Sequence, residues 1–170
     1  GSKGAKSMAI LKRYPHLQAL VIDRDQTIAS AKAFWRGRDD AAERLARMRF
    51  EAGNVQTSVP AAQSAKDAYL LSAVLHGFDD QTAIQALQNV ADAARPCGAT
   101  VVLLEMVMPD HHADLTAATF DMQMFMGTPG RERTMPEWQH LFDQAGLNLQ
   151  EIVNLASFGK MLVLKPDWRQ

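Results

Sequence analysis

Three side chains in this sequence could do chemistry together: His76, Glu105 and Glu132. An imidazole with an ordinary pKa of about 6.5 can take a proton from a hydroxyl at neutral pH, and a flanking carboxylate can orient its ring. His76 follows an apolar run at 69–75 and precedes two acids, Asp79 and Asp80. An apolar run of that length, bounded by charges, predicts a strand covered on both faces, as in a parallel α/β sheet. Ligands gather at the carboxyl ends of such strands, so a titratable group there is well sited for catalysis. The same position also suits a hydrogen-bonded structural histidine. Glu105 and Glu132, taken singly, read as surface carboxylates, although Glu105 closes an apolar run at 99–105 in the same way.

Other groups invite weaker readings. Asp23 ends the run Ala19-Leu-Val-Ile-Asp23 as an acid that binds ribose hydroxyls would, or as a simple helix cap. His111-His112-Ala-Asp114 has ligand-type side chains in a polar loop, but no second cluster completes a metal site, so no metal is expected. Gly1-Ser-Lys-Gly-Ala-Lys-Ser7 superficially matches a phosphate loop and fails on spacing and on its second glycine. The single cysteine, Cys97, lies in a Pro-Cys-Gly turn and reads as structural.

The elements that must position these groups follow from periodicity. Strands are expected at 19–23, 48–51, 69–75 and 99–105, and helices at 8–15 (stopped by Pro15), 25–35, 80–94, 115–126 and 134–145. Asp79 or Asp80 can cap the helix at 80–94, Pro96 ends it, and Thr134-Met-Pro-Glu137 has the form of a capping box. Met122, Met124 and Met126 are expected in the core or a pocket wall, because methionine fills irregular space. Two strands at 149–156 and 160–164, joined through Ser157-Phe-Gly159, predict an antiparallel hairpin. Strand–helix alternation ending in that pair predicts an α/β, doubly wound sheet with a reversed edge. Residues 1–170 read as one domain without repeat or linker. Glycine turns in such sheets follow a first strand, and here the glycines open the chain, so either that strand is missing or Gly1-Ser2 is a cloning remnant and the likeness of the loop is partly accidental.

Bulk composition is that of an ordinary globular chain, 47% hydrophobic and 22% charged over 170 residues. A net charge of −1 gives no reason to expect nucleic acid or an anionic membrane as partner. No apolar run approaches the roughly 20 residues that span a bilayer, so a cytoplasmic location is expected.

The motifs together resemble a family. Over residues 4–166 the chain is similar to the catalytic domain of S-adenosylmethionine-dependent O-methyltransferases of the caffeic-acid and acetylserotonin type, which include bacterial natural-product enzymes. The resemblance rests on Leu11-Lys-Arg-Tyr-Pro15, Val74-Leu-His-Gly-Phe-Asp-Asp80, Leu104-Glu-Met-Val-Met-Pro109 and Gly130-Arg-Glu-Arg-Thr134. It implies a Rossmann-like class I methyltransferase sheet with an antiparallel C-terminal hairpin, S-adenosylmethionine as cofactor, and a hydroxylated aromatic or polyketide-like acceptor. It implies that His76 is the general base, supported by Glu105 and Glu132. On the cofactor side it assigns ribose to Asp23, the glycine loop to Gly1 and Gly4, adenine contacts to Asn54 and Val55, and a lysine position of some members to Ser72. The family usually carries an N-terminal dimerisation domain, which implies a homodimer formed through a region absent from residues 1–170. Departures are Ser2 and Lys3 within the glycine loop, Asn54 for an acid, and Phe78 for a tryptophan. They keep open a non-methylating member of the fold: a cofactor-free binding protein, or a catalyst of hydroxylation or pericyclic chemistry.

Overall fold

The computed structural model describes residues 1–109, 111, 115–156 and 159–168. The chain divides into two compact units, Gly1–Asn54 and Val55–Gln170.

In the first unit, α1 (Ala5–Arg13), α2 (Asp25–Trp35) and α3 (Ala42–Leu45) accompany β1 (Ala19–Asp23) and β2 (Met48–Ala52). The two strands pair in parallel, from Ala19 opposite Met48 to Asp23 opposite Ala52. Met8 and Leu11 of α1, one turn apart, pack with Val21, Ile28, Ala41 and Met48. Arg47 donates to the Leu11 and Leu17 carbonyls, satisfying chain that the end of α1 leaves open.

The second unit is built on β3 (Ala68–Ser72), β4 (Thr100–Met108), β6 (Leu147–Asn154) and β7 (Gly159–Pro166), in the order β3-β4-β7-β6. β3 and β4 are parallel, whereas β7 is antiparallel to both its neighbours. This is the expected α/β sheet with a reversed C-terminal hairpin; residues 157–158 of the expected turn lie outside the described residues. A two-residue strand, β5 (Arg133–Thr134), pairs with the end of β4. The connecting helices are α4 (Asp80–Ala94), α5 (Leu115–Gly127) and α6 (Met135–Ala145).

Helix α4 forms where its sequence starts and stops it. The Asp79 carboxylate accepts from the Thr82 amide at 2.7 Å, and Pro96 lies just beyond the last turn. Ala83, Ala86, Leu87, Val90, Ala91 and Ala94 recur at helical spacing and are buried. They meet Leu141 and Phe142 of α6 and Leu103, Leu162 and Leu164 of the sheet. Each such large side chain contributes about 1.5–3 kcal/mol by leaving water. Thr134 and Glu137 complete the capping box of α6, and Gly146, at φ 68°, ends it.

The structure corrects three expectations. The strand expected over 69–75 stops at Ser72, because Ala73 adopts φ 51° and turns the chain out of the sheet. A 3-10 turn, Leu75–Gly77, follows. Glu105 does not end a strand: β4 runs on to Met108, where β5 pairs with it. Met122 and Met126 are 58% and 79% exposed, so of the two places expected for them, core or pocket wall, the core is excluded; α5 is apolar around most of its circumference and cannot bury every side.

Candidate active site

His76 sits on the 3-10 turn, within a loop gripped from several directions. Its Nδ1 lies 2.9 Å from Glu132 Oε1. A carboxylate oxygen only accepts, so Nδ1 carries the hydrogen and Nε2 keeps the lone pair. The His76 side chain is 21% exposed, and that of Glu132 1%. Glu105 is also buried, which overturns the surface reading of both acids. Its Oε1 accepts from the Val74 and Leu75 amides at 3.0 and 3.1 Å, so it holds the entry to the turn and not the ring. Oε2 of each glutamate is buried and takes no hydrogen bond among the described residues.

These contacts set the electrostatics. The hydrogen bond to Glu132 raises the His76 pKa above its ordinary value, against burial, and the negative charges of Glu105 and Glu132 add to the rise while Arg133 opposes it. Burial raises the Glu105 carboxyl, although two backbone amides and His76 pull the other way.

The segment Gly130–Thr134 explains why five residues of such different kinds stand together. A Cβ at Gly130 would lie 2.0 Å from the His76 carbonyl oxygen and 2.6 Å from the Gly77 carbonyl carbon, so only glycine allows this approach. Successive side chains of this segment turn to different partners. Arg131 and Arg133 both reach Asp80, at 3.0 and 2.9 Å, whereas Glu132 reaches His76. Arg131 also pairs with Glu137, and Thr134 caps α6. The Glu132 amide donates to Asp121 Oδ1 of α5 at 3.1 Å. The pull of Arg133 and Arg131 keeps the Asp80 carboxyl below its ordinary pKa, outweighing partial burial.

Arg133 and Asp121 escaped the sequence reading. Nothing local distinguishes a fully buried arginine from a solvated one in a charged turn. The signal available was the Gly-Arg-Glu-Arg alternation itself, read at the two-residue period of a strand.

The residues assigned to a cofactor fall in both units. Asp23 closes β1, where its Oδ2 accepts from the Ser2 amide at 2.6 Å and its Oδ1 from the Arg24 amide at 2.8 Å. These bonds outweigh partial burial and lower its pKa. Gly1 and Gly4 bound the turn that brings Ser2 there: the Gly4 amide donates to the Gly1 carbonyl at 3.2 Å, and Gly4 adopts φ 72° at the start of α1. The Thr27 side chain hydrogen-bonds the same Asp23 carboxylate; a strand-end acid beside a backbone turn is the kind of group that takes the vicinal hydroxyls of a ribose. Asn54 follows Gly53, whose amide donates to the Asp23 carbonyl at 2.9 Å. In the second unit, the Val55 carbonyl accepts from Asn89 of α4 at 2.8 Å, and Ser72 is the last residue of β3, opposite Leu104. His111 is exposed, and the remainder of its motif lies outside the described residues. Cys97 donates its thiol hydrogen to the Ala62 carbonyl at 3.3 Å. Among the described residues no helix is long and apolar enough to cross a membrane.

Comparison with known proteins places this geometry among relatives. Residues 1–148 match the family model described as an O-methyltransferase domain. A trans-resveratrol di-O-methyltransferase of Vitis vinifera is 26% identical across 98% of the chain and 44% of its own length. An O-methyltransferase of Penicillium roqueforti is 34% identical across 80% of the chain and 31% of its own length. Among solved structures, a methyltransferase in calicheamicin biosynthesis, in its SAH-bound form, superposes with a TM-score of 0.81 at 27% identity, over 98% of this chain and 46% of that one. The chain thus spans less than half the length of the curated relatives it matches.

Proposed function

The chain belongs to the O-methyltransferase domain family, and from that premise we propose that it moves a methyl group from S-adenosylmethionine to a hydroxyl of an aromatic or polyketide-like small molecule. The buried His76–Glu132 pair carries the proposal: a histidine that gives Nδ1–H to a carboxylate presents Nε2 as a base. When bound, S-adenosylmethionine supplies a sulfonium methyl, an electrophile that a deprotonated oxygen can take. His76 Nε2 removes the acceptor's hydroxyl proton. Glu132 fixes the ring and stabilises the imidazolium that results, and Glu105 adds a second buried carboxylate while holding the Val74 and Leu75 amides. On the cofactor side the resemblance assigns the ribose to Asp23 with the Gly1–Gly4 turn, adenine to Asn54 and Val55, and a further contact to Ser72. A homodimer, implied by the resemblance, and a cytoplasmic setting, expected from the sequence's lack of a membrane-length apolar run, belong to the same proposal.

The test uses the full-length protein with S-adenosylmethionine and a panel of hydroxylated aromatics. His76→Ala is expected to abolish methyl transfer while calorimetry still detects cofactor binding. Undiminished turnover in that variant would refute the role of His76. Failure of the parent protein to bind S-adenosylmethionine or S-adenosylhomocysteine would instead refute methyl transfer itself.

A further inference from the structure

We propose that Arg133 is a positioning residue that locks the His76 turn against Glu132, an inference that rests on the reading of His76 as the base. Arg133 is fully buried. Its Nε donates to Asp80 Oδ1 at 2.9 Å, one terminal nitrogen to the Leu75 carbonyl at 3.0 Å, and the other to the Phe78 carbonyl at 2.7 Å. All three acceptors lie within residues 75–80, the stretch that contains His76. The planar fork is what allows one side chain to bind both carbonyls that bracket the turn and the acid that follows them.

The opposite end of the turn is held with opposite charge. Glu105 accepts the Val74 and Leu75 amides, so a carboxylate takes the free N–H groups of the turn while a guanidinium takes its carbonyls. Between these grips the chain has little freedom, and the left-handed Ala73 just before them shows that it has been bent to fit. The guanidinium carbon lies 5.3 Å from the centroid of the Trp138 ring, and Trp138 Nε1 donates to the Met106 carbonyl of β4 at 3.1 Å. Arg133 thereby ties its neighbour Glu132, the His76 turn and the strand bearing Glu105 into one frame.

Stability alone does not account for such a group. Desolvating a cation costs several kcal/mol, and a well-packed apolar side chain often replaces a buried ion pair at no loss of stability. What an apolar side chain cannot do is fix two carbonyl directions, and these set where the imidazole points.

Arg133→Lys in the full-length protein tests this, because it keeps the positive charge and removes the fork. The charged groups facing His76 are Glu132, Glu105 and Arg133, so the electrostatic setting stays close to that of the parent. Two readouts separate positioning from general structure: the NMR titration of the His76 imidazole, and kcat against KM in the folded variant. The expected result is a fall in kcat of about 100-fold, as misplacement by an ångström produces, with cofactor binding retained and His76 titrating at lower pH than in the parent. A titration at the parent position overturns the inference, whatever happens to the yield of folded protein. If Arg133→Lys does not fold, Asp80→Glu decides, since it keeps the negative charge and displaces the carboxylate that Arg133 grips: a shift of the same sign supports the proposal and none overturns it. The two readings fail separately. Turnover persisting in His76→Ala removes the base, whereas an unmoved imidazole titration in Arg133→Lys removes only the clamp.

Discussion

Glu132→Gln is the most discriminating single change, since it preserves the shape of the side chain and deletes its charge. In the parent, Glu132 accepts from His76 Nδ1 at 2.9 Å with a side chain only 1% exposed, so solvent does little to screen the pair. A hydrogen bond to a charged group is worth about 1.5–3 kcal/mol and a neutral one about 0.5–1.5 kcal/mol. The glutamine oxygen can still accept Nδ1–H, so the variant forfeits the difference, about 1–1.5 kcal/mol. If that difference is felt as the imidazolium forms, kcat falls about tenfold. The pH profile moves as well. Neutral His76 is the reactive form, and Glu132 raises its pKa. The parent rate should therefore climb with pH through a value above about 6.5, and the variant should reach its lower plateau at a lower pH than the parent. The assay is kcat/KM against pH with saturating cofactor, supported by NMR titration of His76. A variant with the parent's plateau and the parent's acid limb would refute the reasoning, because it would mean that the carboxylate does nothing for the base.

Three further outcomes follow from the same geometry. Because the folded pKa of His76 is raised, the His76–Glu132 pair adds stability below about pH 6.5 that is lost as pH rises through the raised value; comparing the pH dependence of denaturant midpoints for the parent and Glu132→Gln should show the variant losing this contribution at low pH. Gly130→Ala places a methyl group against the backbone of His76 and Gly77, so it should destabilise the protein by about 1–3 kcal/mol and depress kcat, as read by denaturation and steady-state kinetics. Asp23→Ala removes the acceptor of the Ser2 and Arg24 amides and should weaken S-adenosylmethionine binding by at least about tenfold, measured by calorimetry, while leaving the His76 titration unmoved.

Much of the fold was legible because particular residues punctuate it. Asp79 and Pro96 bound α4, Thr134 and Glu137 start α6, and Gly146 stops it, each by local chemistry that a sequence displays. The end of β3 was not legible: the residue that turns the chain is Ala73, and no glycine marks its left-handed backbone. Nor was the exposure of Met122 and Met126, since a helix apolar on most sides gives no period from which to choose its buried face. At the candidate site, His76, Glu105 and Glu132 could be picked out by type and position, and the structure places Glu132 on the ring and Glu105 on the backbone beneath it. The burial of both acids depends on packing between segments distant in sequence. The same is true of Arg133, whose partners lie more than fifty residues away.

The place of β7 in the sheet has a consequence for how the protein is made. Among the described strands Gly159–Pro166 comes last in sequence, yet it lies between β4 and β6 and pairs with both. While a ribosome is still extending the chain toward Pro166, one edge of β4 and one edge of β6 stand open, each offering unpaired amides and carbonyls to any extended segment nearby. Leu162 and Leu164 also arrive last, although they complete the core around α4 and α6. The second unit therefore cannot mature progressively from its first strand. It stays partly formed and adhesive until β7 emerges and threads home, a stage at which holdase chaperones would have the most to protect.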